Sequence, residues 1–546
     1  MNPDQKLRQR TGIWRGAAIL TAAGLLAKIL SAAYRIPYQN ITGDIGFYIY
    51  QQVYPLYGIA LAFALYGFPA VLSKLVAEEN EKTGGEGLPG LIIRAFAFLF
   101  GFGMLLFVAL YAGAGPLARW MGDPQLELPV RTVAFAFFFM PFLAVYRGYY
   151  QGHGNMVPTA VSQVTEQAVR VSTILLFAYL LISSGYGVYI AGAGAVFGSV
   201  TGGFAALLFL ILFRLKKGKQ PLLIMSSARL RKKPAEKKAY LLKGLLLNGL
   251  LLSMSHLLLV LLQFADSMTL VKGLLYAGVD GLTAKEMKGV YDRGFPLIQL
   301  ATVFATSLSL ALVPFVSSAS AKGKMGEVKE KTELALRVGL MIGAGAAAGL
   351  WLILEPVNIM LFENNAGEMT LKMLSLAIIF STAAITLSSV LQGLGHFYIP
   401  AASAAAGFLI KWAGNMIFVP RFGTEGAAAA TVIAFLLIAF INAVFIIIFL
   451  KSRLVAPASL LKISGAVAGM AAVLAILNGM FGYLDIITAA GRAGAAVQAL
   501  FETAAGGLVF LLIIMRIGLF SEEELELLPG GGRLAAIHQN MQRWGK

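Results

Sequence analysis

Residues 425–450 read EGAAAATVIAFLLIAFINAVFIIIFL. After Glu425 the run carries no charge, and Thr431 and Asn442 are its only clearly polar side chains. About 20 apolar residues in a helix cross the hydrocarbon core of a bilayer, so this stretch is long enough to span one. It is apolar on every face, which fits a lipid-embedded helix and not the alternation of a barrel strand.

Other stretches read the same way. Runs of this kind, split by polar or Gly/Pro breaks, fall at 12–36, 47–77, 91–114, 127–150, 157–182, 187–213, 241–272, 290–318, 334–356, 369–394, 399–419, 425–450, 459–482 and 495–517. Composition agrees: of 546 residues 58% are hydrophobic and 13% charged, with a mean hydropathy of +0.76. A soluble chain is about 45–50% apolar and about 25% charged. So much apolar surface does not fit inside a water-soluble particle, which excludes a soluble enzyme, a disordered chain and a fibre. The fold class is an all-α polytopic membrane protein with about fourteen transmembrane helices. Cysteine is absent, so disulfides and thiolate metal sites are excluded. The first run is too long for a signal peptide and contains Lys28, so it is expected to remain in the mature chain.

Lys and Arg set the orientation. They gather at Lys6, Arg8 and Arg10, at eleven positions between Arg214 and Lys243 against the single acid Glu236, at Lys322, Lys324, Lys329 and Lys331, and at Lys451 and Arg453. All fall on one side of a fourteen-helix chain. That side is expected to be the cytoplasm of a cell-membrane protein, with both termini inside. The net charge of +17 then reads as a topology signal beside anionic membrane lipids, not as a nucleic-acid surface. Residues 518–546 form a short cytoplasmic tail.

The chain also repeats. Gln151-Gly152-His153-Gly154, with Pro158 after it, returns 241 residues later as Gln392-Gly393-Leu394-Gly395 with Pro400. Gly67-Phe68-Pro69 before one charged loop is matched by Val313-Pro314-Phe315 before another. Six helices match six in the same order, which makes the repeats parallel. The expected organisation is a lobe at 1–213, a basic linker at 214–240, a second lobe at 241–450, two extra helices at 451–517, and the tail. Two equal bundles create a midplane cavity with rocking as the access mechanism.

An ionisable residue at the bilayer centre costs about 2.5–3.5 kcal/mol on insertion scales, so each one is a site candidate. Lys28 and Arg35 lie about two turns apart on one helix face. Arg293 follows Asp292 at the outer end of the eighth span, and Arg147 ends the fourth in an aromatic setting. Glu166 and Arg170 have the i, i+4 spacing of an ion pair. Asp266 is a lone carboxylate in the seventh span, with Lys272 beyond it. Lys411 and Asn415 share a face of the eleventh, and Thr431 lies in the twelfth. Oxygens of Asn415 and Thr431 could join Asp266 around a coupling ion, Na+ or H+. The balance is cationic, and Arg and Lys are the side chains that phosphate recognition uses. Lys28, Arg35, Arg293 and Arg147 are therefore the substrate-binding candidates, for a large amphiphilic anion such as a lipid carrying a diphosphate.

Catalytic patterns are missing. The four His do not form H-E-x-x-H, and no P-loop or G-x-S-x-G elbow occurs. The expectation is a non-enzyme without a catalytic metal or a resident cofactor.

Arg15-Gly16-Ala17 through Lys28-Ile29-Leu30 and Tyr34-Arg35-Ile36-Pro37 resembles the first helix of the polysaccharide-transporter and MurJ-type branches of the MOP flippase superfamily. Gly67-Phe68-Pro69 with Ser73-Lys74-Leu75 fits the same pattern, as does Tyr291-Asp292-Arg293 with Leu312-Val313-Pro314. Ala265-Asp266-Ser267 resembles the SpoVB branch, and the chain is similar overall to SpoVB, YtgP and YabM proteins, well over helices 1–12 and loosely over 13–14. The resemblance implies two six-helix lobes in a V with two extra helices forming a lipid-facing groove. It implies outward movement of a polyprenyl-diphosphate-linked saccharide, such as a cell-wall or spore peptidoglycan precursor, and the chain is expected to work as a monomer by alternating access. It implies that Lys28, Arg35 and Arg293 contact the diphosphate. It also implies a sodium site at Asp266, Asn415 and Thr431, although the second acid of that pattern is Val419 here. A cation-coupled multidrug exporter of the same superfamily is the alternative, and a membrane-embedded glycan enzyme the second.

Overall fold

The computed structural model describes residues 19–224, 238–451, 454–484 and 486–526. The N-terminal basic residues, the Arg15-Gly16-Ala17 motif, the middle of the basic linker, Arg453 and the end of the tail lie outside the described residues. Within them all regular structure is helical, as apolar runs require in a medium that offers no partner for free backbone groups. The chain is an all-α, multi-pass membrane protein.

Among the described residues, eleven continuous helical stretches are long and apolar enough to cross a bilayer. Two of them far exceed one crossing: Ile19–Thr83 has 65 residues and Tyr398–Leu450 has 53. At 1.5 Å per residue they would measure about 98 Å and about 80 Å, against a core of about 30 Å. Each leaves the helical conformation at a glycine, Gly43 (φ 67°) in the first and Gly423 (φ 58°) in the second. These glycines stand where the sequence separates consecutive spans. A further irregularity, the π turn Phe63–Gly67, precedes Pro69. Proline has no N–H to give the carbonyl four residues back, here Leu65, and the wider turn absorbs that loss.

The chain forms two compact units, Met1–Asp292 with Pro400–Gly423, and Arg293–Ile399 with Thr424–Lys546. Compactness thus groups the chain differently from a boundary after residue 213. Buried polar contacts explain the first unit. The Gly281–Asp292 helix lies so close to the Arg35–Ala62 helix that a Cβ on Gly289 would overlap the Asp44 carbonyl. Lys285 pairs with Asp123 at 3.0 Å. Gln52 donates to the Ser267 carbonyl at 2.6 Å, joining the Leu258–Tyr276 helix to the same group. In the second unit, Leu334, Val338, Met470, Phe510 and Ile514 share an apolar core that binds the Pro457–Tyr483 and Ile486–Arg516 helices to Met325–Leu352.

The internal repeat has a structural counterpart. Gly154 (φ 71°) and Gly395 (φ 87°) both adopt the left-handed conformation that ends a helix. Their amides donate to the carbonyls of Gln151 and Gln392, each at 2.9 Å. The glycine two residues earlier is a close-packing point in both units. A Cβ on Gly152 would stand 2.6 Å from Val76 and 2.7 Å from the Ser73 carbonyl. One on Gly393 would stand 2.7 Å from Val316 and 3.0 Å from the Val313 carbonyl. The same tetrapeptide therefore ends a helix and seats it on an earlier helix of its own unit.

Candidate functional site

The site is built on the face of the Arg35–Ala62 helix that carries Tyr50, Tyr54 and Tyr57, spaced four and three residues apart so that they stack along one stripe. Tyr34 and Tyr38, on the other side of the Gly43 bend, complete a tyrosine cluster. Ring centroids lie 5.9 Å apart for Tyr34–Tyr50, 5.2 Å for Tyr38–Tyr50, and 6.2 Å for both Tyr50–Tyr54 and Tyr54–Tyr57. Tyr34 donates its hydroxyl to Tyr50 at 2.7 Å.

Two guanidinium groups are set into this cluster. Arg35 is fully buried with its Cζ 4.4 Å from the centre of the Tyr54 ring. Its Nε, Nη1 and Nη2 meet no acceptor at full hydrogen-bond geometry among the described residues, and the Tyr34 and Tyr54 hydroxyls lie beside them. Arg170 comes from the Val157–Ser183 helix and is almost fully buried. Its Cζ lies 4.6 Å from the centre of the Tyr57 ring and 5.3 Å from that of Tyr34. Its Nη2 donates to Ser31 at 3.1 Å, while Nε and Nη1 have no partner among the described residues. Backbone packing fixes this helix: a Cβ on Gly198 would meet the Arg170 carbonyl at 2.8 Å, and one on Gly202 the Glu166 carbonyl at 2.7 Å. Small residues spaced four apart let neighbouring helices approach this closely. The aromatic faces attract the cations but accept no strong hydrogen bond. The cluster therefore keeps guanidinium N–H groups that its own hydroxyls satisfy only in part.

One turn away, Glu166 does not pair with Arg170. It pairs with Arg147 at 2.7 Å and accepts the Tyr57 hydroxyl at 3.2 Å. Arg147 also donates through Nε to Ser162 at 3.1 Å and through Nη1 to the Ala64 carbonyl at 3.3 Å. The i, i+4 spacing within one helix permitted a local pair, but a facing helix supplies the cation instead. This gives Arg147 a structural pair and leaves Arg170 as the second guanidinium of the tyrosine cluster. Lys28 is half-buried on the preceding helix and makes no ion pair among the described residues. Arg293 begins the second unit. It is fully buried, donates to Asn364 at 2.8 Å, and lies 5.1 Å over the Phe362 ring. Its neighbour Asp292 pairs with Lys288 at 2.6 Å.

The coupling-ion candidates fall in both units. Asp266 is fully buried. Its Oδ1 accepts from Lys411 Nζ at 2.7 Å and Asn415 Nδ2 at 2.8 Å, and its Oδ2 accepts the Tyr291 hydroxyl at 2.9 Å. Thr431 belongs to the second unit, where it donates to the Ala427 carbonyl at 3.0 Å. Every atom that reaches Asp266 here presents a hydrogen. Its near oxygen therefore already carries an ammonium at 2.7 Å, and the phenol of Tyr291 holds the other. With Lys411 in place, the groups around Asp266 are those of a bound ammonium and not of Na+.

Comparison with known proteins agrees with this architecture. The sequence profile of the family described as "Polysaccharide biosynthesis protein" matches residues 13–320. The membrane protein YabM of Bacillus subtilis (strain 168) is 40% identical over 98% of both chains. The chain belongs to that polysaccharide biosynthesis family. It falls in the polysaccharide-transporter and MurJ-type branch of the MOP flippase superfamily. Another relative is the lipid II flippase MurJ of Bacillus subtilis (strain 168), 25% identical over 94% of this chain and 97% of that one. The solved structure of a lipid II flippase MurJ in an inward closed conformation shares the fold, with a TM-score of 0.64 at 16% identity. It covers 91% of this chain and 98% of that one.

For this family member, the family motifs contain Arg35 and Arg293 but do not extend to Arg170 or Lys411. The available signal was a run of tyrosines at helical spacing inside an apolar span, where five hydroxyls need a polar purpose.

Proposed function

We propose that this chain is a flippase that moves an anionic polyprenyl-diphosphate-linked saccharide from the inner to the outer leaflet by alternating access. The observation that carries the reading is the tyrosine cluster with its two guanidinium groups, which hold unpaired donors in a buried setting. Taking an isolated charge out of water costs several kcal/mol even after relaxation, so such donors favour an incoming acceptor. A diphosphate suits them, because guanidinium groups bind phosphate oxygens bidentately and with charge assistance. The lipid II flippase among the relatives supports this class of cargo, and a cationic cargo would meet two uncompensated positive charges. In this reading Lys28 extends the basic face of the first helix. The protein sits in the cell membrane as a monomer with both termini on the cytoplasmic side.

The test is leaflet translocation of a defined polyprenyl-diphosphate saccharide in proteoliposomes. Arg35→Gln with Arg170→Gln removes two charge-assisted contacts, each worth about 1.5 kcal/mol or more, so transport should fall at least about a hundredfold. Wild-type rates in the folded double variant, or export of a cationic dye in place of the lipid, would refute the proposal.

A further inference from the structure

The polar centre around Asp266 is more than a variant of an ion site. We propose that the Lys411 ammonium is a resident cation: it occupies the position beside Asp266 that a free monovalent ion would take, so the protein binds no Na+ there. The inference stands apart from the cargo assignment, because it concerns the charge state of one buried centre in the first unit.

Three observations carry it. The first is saturation. Lys411 and Asp266 are both fully buried and lie 2.7 Å apart. Lys411 also donates to the Tyr291 hydroxyl at 3.1 Å, and Tyr291 donates to the far oxygen of the same carboxylate. The ammonium, the phenol and the carboxylate therefore close a ring, with the ammonium bridging two oxygens as a small cation would. The second is orientation. Asn415 turns its Nδ2 toward Asp266 and also toward Thr269, at 2.8 Å each. An amide serving a metal ion would present its oxygen to the carboxylate's side of the site. The third is charge balance. The adjacent carboxylate, Asp292, is matched by Lys288 at 2.6 Å one turn back on the same helix. Two carboxylates and two ammonium groups leave no net negative charge to draw another cation into a region of low dielectric.

The ammonium differs from a free ion in being tethered. It cannot leave with a gradient, so the centre remains neutral whatever the Na+ concentration on either side. Removing it leaves a buried carboxylate ringed by a phenol and an amide, which becomes a demand for a cation.

Thermal unfolding of the purified full-length protein, compared in NaCl and in choline chloride at equal ionic strength, tests this without any transported substrate. The wild type should unfold at the same temperature in both salts. Lys411→Ala should unfold later in NaCl, because Na+ can fill the vacated position. At a Na+ concentration ten times its Kd, the folded-to-unfolded ratio should rise about 11-fold. The neutral pair Asp266→Asn with Lys411→Met should fold and respond to neither salt, which keeps the test open if Lys411→Ala fails to fold. A Na+-specific stabilisation of the wild type that disappears in Asp266→Asn would overturn the proposal. So would a folded Lys411→Ala that ignores Na+, or a neutral pair that does not fold.

Discussion

Arg35→Met should make the ligand-free protein more stable while removing its response to diphosphate. Arg35 is fully buried, its three nitrogens make no hydrogen bond of full geometry among the described residues, and its compensating contacts are the Tyr54 ring at 4.4 Å and the neighbouring tyrosine hydroxyls. The effective penalty for burying such an ion is several kcal/mol after relaxation. The aromatic contact returns about 0.5–2 kcal/mol. Methionine keeps an unbranched apolar stem in place and has no charge to desolvate, so the net gain should be on the order of 2 kcal/mol. Thermal unfolding in detergent, followed by intrinsic tryptophan fluorescence, reads this as a rise in Tm. Domains of 150–250 residues shift by about 2–4 °C per kcal/mol. Inorganic pyrophosphate should raise the Tm of the wild type and leave that of Arg35→Met unchanged. A variant destabilised by more than about 1 kcal/mol, beside a wild type indifferent to pyrophosphate, would show that Arg35 holds the helices together. The reasoning from unpaired donors would then fail.

The opposite sign is expected at the Glu166–Arg147 pair. Glu166→Gln leaves Arg147 as an uncompensated buried cation and should cost about 3–5 kcal/mol, with Glu166→Gln plus Arg147→Met recovering most of the loss in equilibrium unfolding. At the repeated turns, Gly152→Leu and Gly393→Leu should each cost at least about 1–3 kcal/mol by overpacking. The two losses should be similar, because the displaced neighbours, Val76 with Ser73 and Val316 with Val313, are equivalent. A large loss at one and none at the other would show that the two units do not use the motif alike.

By itself the sequence determined the solvent. The run at 425–450 and its counterparts cannot be hydrated cheaply, and a helix is the form that satisfies their backbone in lipid. It also determined where helices end, because Gly154 and Gly395 satisfy local geometry that depends on neighbours within a few residues. Arg35 was legible as a candidate because a charge inside an apolar run is conspicuous without coordinates. Ion-pair partners were decided by tertiary structure. Glu166 had a cation at local helical spacing in Arg170, yet Arg147 on a facing helix reaches it, which leaves Arg170 among the tyrosines. Asp266 finds Lys411 far along the chain for the same reason. Hydrophobic periodicity says which faces are buried, but the direction of a buried donor depends on which helices stand opposite it, and that follows from packing of the whole unit.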